Sequence, residues 1–273
     1  FLMSEFKTRA IFGILYAALV IASVYFHAFG LLALLVLIYV AGLTEMQRLL
    51  KATDSPELFT TASIFGVLAL WAHLSFTQDF QNNLLAITAL LILALFVHHL
   101  FLKGSENNNV RLPKVLYSVI YLFLPTSLAI TIAYTTGSWE PRYLLGLFFI
   151  LWATDTFAYL TGMTIGKHKL IERLSPKKSI EGLIGGIIGA LLVGYVLSLF
   201  WSILSLNQWL VFALLVAIGG TIGDLFESSI KRSAGAKDSG NLIPGHGGIL
   251  DRLDSFLISV PIIYFYLRFL PNI

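Results

Sequence analysis

Ile180-Glu-Gly-Leu-Ile-Gly-Gly-Ile-Ile-Gly-Ala-Leu-Leu-Val-Gly-Tyr-Val-Leu-Ser-Leu-Phe-Trp201 carries a single charged residue, Glu181, at its edge. A helix over such a stretch rises about 1.5 Å per residue, enough to cross a hydrocarbon layer about 30 Å thick. Eight further apolar stretches read the same way, at 10–27, 29–44, 58–75, 84–102, 115–136, 143–165, 208–230 and 255–270. A tight turn near Phe29 and Gly30 makes the first two a hairpin. The expected fold is therefore an all-α polytopic membrane protein of about nine transmembrane helices. Residues 1–140 form a scaffold of about five helices, and residues 141–273 form a catalytic region of about four.

Composition agrees. Only 12% of the 273 residues are charged and 57% are hydrophobic, with a mean hydropathy of +0.83. Soluble domains carry about 25% charged residues, so a water-soluble fold, a disordered chain and a coiled coil are excluded. The absence of cysteine removes disulfide scaffolds, thiolate metal sites and cysteine nucleophiles. A net charge of +3 does not point to nucleic acid, because the charges lie in short loops between apolar runs. Met3 is expected as the natural start, after Phe1 and Leu2. The first span runs into the second without a small-x-small cleavage site, so it does not read as a signal peptide.

Nine spans put the termini on opposite faces. Sixteen of the 18 basic residues then fall on the face of the N-terminus, and only Arg142 and Arg268 on the other. The positive-inside rule makes the crowded face cytoplasmic. Both long loops, 166–179 and 231–254, lie on that face.

Ionisable residues enter the spans mainly in the second half of the chain. A carboxylate within a membrane helix costs several kcal/mol unless it meets a polar cavity, a partner or a metal. Asp155, in Trp152-Ala-Thr-Asp155-Thr-Phe-Ala-Tyr159-Leu-Thr-Gly162, is either bonded to a neighbouring hydroxyl or a wall of a polar site. The loop that follows ends Ser175-Pro-Lys177-Lys178-Ser179-Ile-Glu181-Gly182 and holds five basic residues. Such a run suits an anion site or simply sets topology beside anionic lipid. Ser179 reads as an N-cap with Glu181 in the first helical turn, and a helix start beside two lysines can hold phosphate. Glycines 182, 185, 186 and 189 read as helix packing.

In the eighth span, Asp224, Glu227, Ser228 and Lys231 share one face. Pairing of Glu227 with Lys231 four residues on accounts for Glu227 but leaves Asp224 without a partner. Then comes Lys237-Asp238-Ser-Gly-Asn-Leu-Ile-Pro-Gly-His246-Gly247-Gly248-Ile-Leu-Asp251-Arg252-Leu-Asp254. Its glycines permit close backbone approach to a ligand, and its acids suit a hard divalent cation holding phosphates.

The segment from Ser228 to Asp254, with Lys231, Arg232, Lys237, Asp238, Gly240, His246, Gly247, Gly248, Asp251, Arg252 and Asp254 in register, resembles the full signature of the phosphatidate cytidylyltransferases, or CDP-diglyceride synthases. The Asp155 helix and the Ser175-Pro-Lys-Lys-Ser segment are also similar to that family. Residues 1–140 are similar in hydropathy and in Glu45 after the second span. The resemblance implies that CTP and phosphatidate give CDP-diacylglycerol and pyrophosphate in phospholipid biosynthesis. It implies Mg²⁺ or Mn²⁺, with a second cation left open, and a homodimer in the bacterial inner membrane with its active site facing the cytoplasm. Carried onto this sequence, Asp224 and Asp251 are the metal ligands. Lys231, Lys237, Asp238, His246 and Arg252 join them as catalytic residues. Asp155, Ser175, Lys177, Lys178, Glu181, Glu227, Ser228, Arg232, Gly247, Gly248 and Asp254 are expected to bind substrate. A transporter would also carry intramembrane acids and broken, glycine-rich helices, but the chain shows no internal repeat and its unusual residues gather on one face. A transferase acting on another lipid phosphate is the second alternative.

Overall fold

The computed structural model describes residues 2–51, 56–75, 80–101, 108–242 and 247–270. Among these are nine helices: α1 (Leu2–Phe26), α2 (Ala28–Leu49), α3 (Pro56–Ser75), α4 (Phe80–Phe101), α5 (Asn108–Ala133), α6 (Arg142–Ile165), α7 (Ile180–Phe200), α8 (Leu206–Ser233) and α9 (Leu250–Arg268). Every expected span falls on one of them. Six are long and apolar enough to cross a membrane, and α1 and α4 add the shorter apolar stretches Gly13–Phe26 and Ile87–His99. The helices have exposed apolar flanks, such as Ile184, Ile188 and Leu192 on α7. A water-soluble protein would bury such a stripe.

Three local features differ from the sequence reading. The α1–α2 turn is at His27, whose ring Nδ1 accepts from the Phe29 N–H at 3.2 Å; Gly30 instead lets α2 pass the backbone of Ser23. The loop after α6 is not irregular: β1 (Lys169–Ile171) and β2 (Ser175–Ser179) pair antiparallel as a short hairpin. And α9 begins at Leu250, five residues ahead of the apolar stretch expected at 255–270, with Asp251 and Asp254 opening it.

The C-terminal helices pack in chain order, α6 on α7, α7 on α8 and α8 on α9, while α5 covers α9 and α2 lies against α5. Small residues set these distances. A Cβ at Gly182 would stand 2.9 Å from the Ala158 carbonyl of α6, and one at Gly186 would stand 3.0 Å from the Thr154 carbonyl. A Cβ at Gly219 would meet Ser259, and one at Gly223 would meet the backbone of Asp254 and Ser255. Hydroxyls bridge the α8–α9 seam, Ser255 donating to the Gly220 carbonyl at 3.0 Å and Ser259 to the Val216 carbonyl at 3.3 Å. Without a hydrophobic force between helices in lipid, such close contacts and hydrogen bonds hold the bundle. Larger side chains fill the interior, with Phe148 stacked on Phe256 at 5.0 Å and Trp209 fully buried.

Candidate active site

The acids of α8 and α9 meet at one end of the bundle. Helix α8 stops in a Schellman turn: Ala236 N–H reaches the Lys231 carbonyl at 2.9 Å, Gly235 N–H reaches the Arg232 carbonyl at 3.1 Å, and Gly235 takes φ +71. The chain then turns back so that Ser239 lies against the start of α9. Asp251 accepts there from Lys231 Nζ at 2.6 Å through Oδ1. Its Oδ2 accepts from the Ser239 N–H and hydroxyl, each at 2.9 Å, and from the Gly248 N–H at 2.8 Å. Gly247 (φ +85) makes that last contact possible, since a Cβ would sit 2.7 Å from Asp251 Oδ2.

Lys231 also pairs with Glu227 at 2.5 Å, the expected i,i+4 contact, and so joins α8 to α9. Asp224 does have a partner, but from outside the helix: Lys178 of β2 forms an ion pair with it. Asp254 is buried close to Asp224, within its electrostatic reach. Two neighbouring carboxyl groups disfavour each other's charge, which a proton or a cation offsets.

Lys178 also lines a cavity of about 300 Å³ bounded by α6, the hairpin, α7 and α8. Asp155, Lys177, Ser179 and Thr221 share that lining, and the apolar Met163 and Leu183 complete it. Asp155 is within electrostatic reach of Lys178, Asp224 and Arg252. Ser179 caps α7, accepting from the Gly182 N–H at 3.1 Å. The cavity thus joins a cationic strand, a helix start and Asp155 beside an apolar wall, and Lys178 ties it to Asp224 of α8.

Other expected residues stand apart from this cavity. Glu181 accepts from the backbone N–H groups of Lys167 and His168 and contacts His168 Nδ1 at 2.6 Å, tying the hairpin to α7. Arg232 donates to the Leu174 and Ala236 carbonyls, at 3.4 and 3.1 Å, and tethers the tip of the hairpin to the end of α8. Ser175 opens β2, Ser228 is buried on α8, and Lys237 and Asp238 are exposed after the Schellman turn. His246 lies outside the described residues. The residues absent from the expected site are Ser239 and Glu45. Glu45 was visible as a lone acid ending an apolar span, but nothing in the pattern said what it touches.

The donor set fits a hard divalent cation. It consists of carboxylate oxygens, and Glu227 Oε1 is buried without a hydrogen-bond partner among the described residues. No three acids or histidines form a ready-made cage among those residues. Magnesium commonly takes one or two carboxylates and completes its shell with substrate phosphate and water.

The chain matches the cytidylyltransferase family over residues 7–270. It is 31% identical over 271 residues to the phosphatidate cytidylyltransferase of Bacillus subtilis, covering 97% of this chain and 98% of that one. It is 35% identical over 234 residues to the phosphatidate cytidylyltransferase of Staphylococcus haemolyticus, covering 84% of this chain and 88% of the relative. With Staphylococcus epidermidis the identity is 48% over 132 residues, about half of each chain. A match that runs from α1 into the end of α9 takes in the whole bundle as well as the acids and lysines at its end, and on that extent the chain belongs to the cytidylyltransferase family.

Proposed function

We propose that this chain transfers the cytidylyl group of CTP to phosphatidate, releasing pyrophosphate and leaving CDP-diacylglycerol in the membrane. One observation carries the reading: Lys178 lines a cavity beside an apolar wall and at the same time pairs with Asp224 of the α8–α9 acid cluster. Cationic and acidic halves of a phosphoryl-transfer site therefore share one location at the end of membrane helices.

The nucleophile is an oxygen of the lipid phosphate, already anionic near neutral pH, so no strong general base is needed. That oxygen forms a bond to the α-phosphorus of CTP as the bond from that phosphorus to the departing pyrophosphate breaks. The difficulty is repulsion between two anions and charge building on the leaving group. Lys177 and Lys178 on β2 and the N-terminus of α7 are placed to hold phosphate in the cavity. Lys231 supplies positive charge between Glu227 and Asp251, and Arg252 supplies it within reach of Asp155. Asp224 and Asp251 would hold magnesium or manganese. A cation held by these two acids would supply Lewis-acid charge for the phosphoryl oxygens and the departing pyrophosphate. Glu227 and Asp254 flank those two acids. The homodimer implied by the sequence resemblance belongs to the same reading.

In detergent, the purified chain is expected to convert CTP and phosphatidate to a CDP-lipid, to stop in excess chelator and to recover with Mg²⁺. Turnover that persists in excess chelator would remove the cation from the site. A polyprenyl phosphate used in place of phosphatidate is expected to give no product; equal turnover would favour a transferase of another lipid phosphate.

The site is proposed to face the cytoplasm of a bacterial plasma membrane. The distribution of basic residues and the bacterial relatives support this. A reporter inserted in the 166–179 loop should be cytoplasmic and one fused after Ile273 external. Finding both on one side contradicts the nine-span topology.

A further inference from the structure

Glu45 belongs to α2, in the half of the chain that reads as scaffold, yet it is only 3% exposed and points into the start of α9. Its Oε1 accepts from the Ile249 N–H at 2.8 Å, and its Oε2 accepts from the Leu250 N–H at 3.0 Å. The first N–H groups of a helix have no partner within it, so this carboxylate satisfies two of them and lies at the positive end of the helix dipole. Oε2 also takes the Ser239 hydroxyl at 2.8 Å, and the same hydroxyl lies 2.9 Å from Asp251 Oδ2. A serine carries one hydroxyl proton, so Ser239 stands between the two carboxylates and donates to one of them at a time, while its N–H stays on Asp251.

The surrounding sequence is shaped to this contact. A Cβ at Gly42, one turn earlier on α2, would press on Leu122 of α5 at 2.7 Å and on Leu250 of α9 at 3.4 Å, so glycine lets α2 come close. A Cβ at Gly240 would sit 2.7 Å from Glu45 Oε1, and one at Gly248 would sit 2.5 Å from both carboxylate oxygens. Two glycines of the 228–254 segment are thus required by a side chain some 200 positions away.

We infer that Glu45 is a positioning residue for the reaction: through Ser239 and the N-terminus of α9 it fixes the rotamer and location of Asp251. The inference rests on the proposed role of Asp251, and Asp251→Asn serves as the control for that role. Groups that orient a ligand-bearing carboxylate typically affect activity by about 10- to 100-fold.

The test uses the full chain in detergent with Glu45→Gln, Ser239→Ala and the double variant. Thermal unfolding, kcat, both KM values and hydrogen exchange at the Ile249 and Leu250 amides are measured. Gln keeps the size and one acceptor but loses the charge. Ser239→Ala removes the hydroxyl between Glu45 and Asp251, keeps the backbone N–H bond to Asp251 and leaves the cap on α9 intact. The expected result is that each single variant lowers kcat about 10-fold or more with both KM values within about threefold. The double variant falls no further than the worse single one, and faster exchange at residues 249 and 250 appears only where Glu45 is changed. Normal kcat in both single variants, with Asp251→Asn inactive, overturns the inference and leaves the proposed role of Asp251 standing. Multiplying losses in the double variant also overturn it. Should Glu45→Gln fail to fold, Ser239→Ala alone decides: normal kcat refutes the link. An active Asp251→Asn refutes instead the reading on which the inference rests.

Discussion

Asp251→Asn is expected to lower kcat by at least about 100-fold while the protein still inserts and purifies. In the native chain the carboxylate accepts from Lys231, Gly248 and the Ser239 N–H, and shares the Ser239 hydroxyl with Glu45. Asparagine has the same size but one acceptor oxygen. Turned toward Ser239 and Gly248, that oxygen leaves the amide NH₂ facing the Lys231 ammonium, donor against donor. Turned the other way, it sets the NH₂ against two backbone N–H groups. Either arrangement loses charge-assisted bonds, each worth about 1.5–3 kcal/mol, and removes the anionic ligand proposed for a divalent cation. The stability loss is moderated because Lys231 keeps Glu227 at 2.5 Å. Steady-state rates read beside thermal unfolding check the expectation. A near-normal rate removes Asp251 from the chemistry, and a rate loss that merely follows the unfolded fraction makes the residue structural.

Lys178→Ala is the second large effect. The side chain reaches from β2 to Asp224 and also lines the cavity, so one change removes both an ion pair and the proposed phosphate contact. At 35% side-chain exposure the pair with Asp224 is only partly shielded from water, and its own contribution to stability is modest. The anion contact is made with substrate present. We expect kcat/KM to fall about 10- to 100-fold, mostly through KM. Lys178→Arg should recover part of the loss, because the charge returns with a different reach. Glu181→Gln provides the contrast. Its carboxylate ties the backbone of Lys167 and His168, so it should loosen the hairpin without the same rise in KM. Equal KM effects from the two changes would contradict the assignment of Lys178 to substrate.

These two residues also show what the sequence could and could not reveal. Hydropathy located the helices because an apolar run of spanning length has few alternatives; the stretch 180–201 emerges as Ile180–Phe200. It failed where charge enters a helix. Asp251 and Asp254 precede the apolar stretch at 255–270, so hydropathy alone starts α9 five residues late, although satisfied acids are at ease at a helix N-terminus. The β1–β2 hairpin was hidden because its strands are three and five residues long and rich in lysine, with no alternation to read. The pairing of Glu227 with Lys231 was legible from i,i+4 spacing. The partner of Asp224 was not, since Lys178 lies 46 positions away on another element. Glu45 lies further still from α9, and no periodicity along α2 encodes a hydrogen bond to Leu250. Local pattern thus supplied the elements and the residue types of the site. The arrangement of those residues came from contacts between distant segments.

The central claim is a transfer of the α-phosphorus of CTP to a lipid phosphate by this chain. It is tested most directly by giving the purified protein, Mg²⁺ and phosphatidate either α-labelled or γ-labelled CTP and following the label. The account predicts that α-label enters the lipid phase and γ-label appears in pyrophosphate, in equal amounts, with both signals lost in Asp251→Asn. Label that stays in CTP, or pyrophosphate released with no label in lipid, would contradict it.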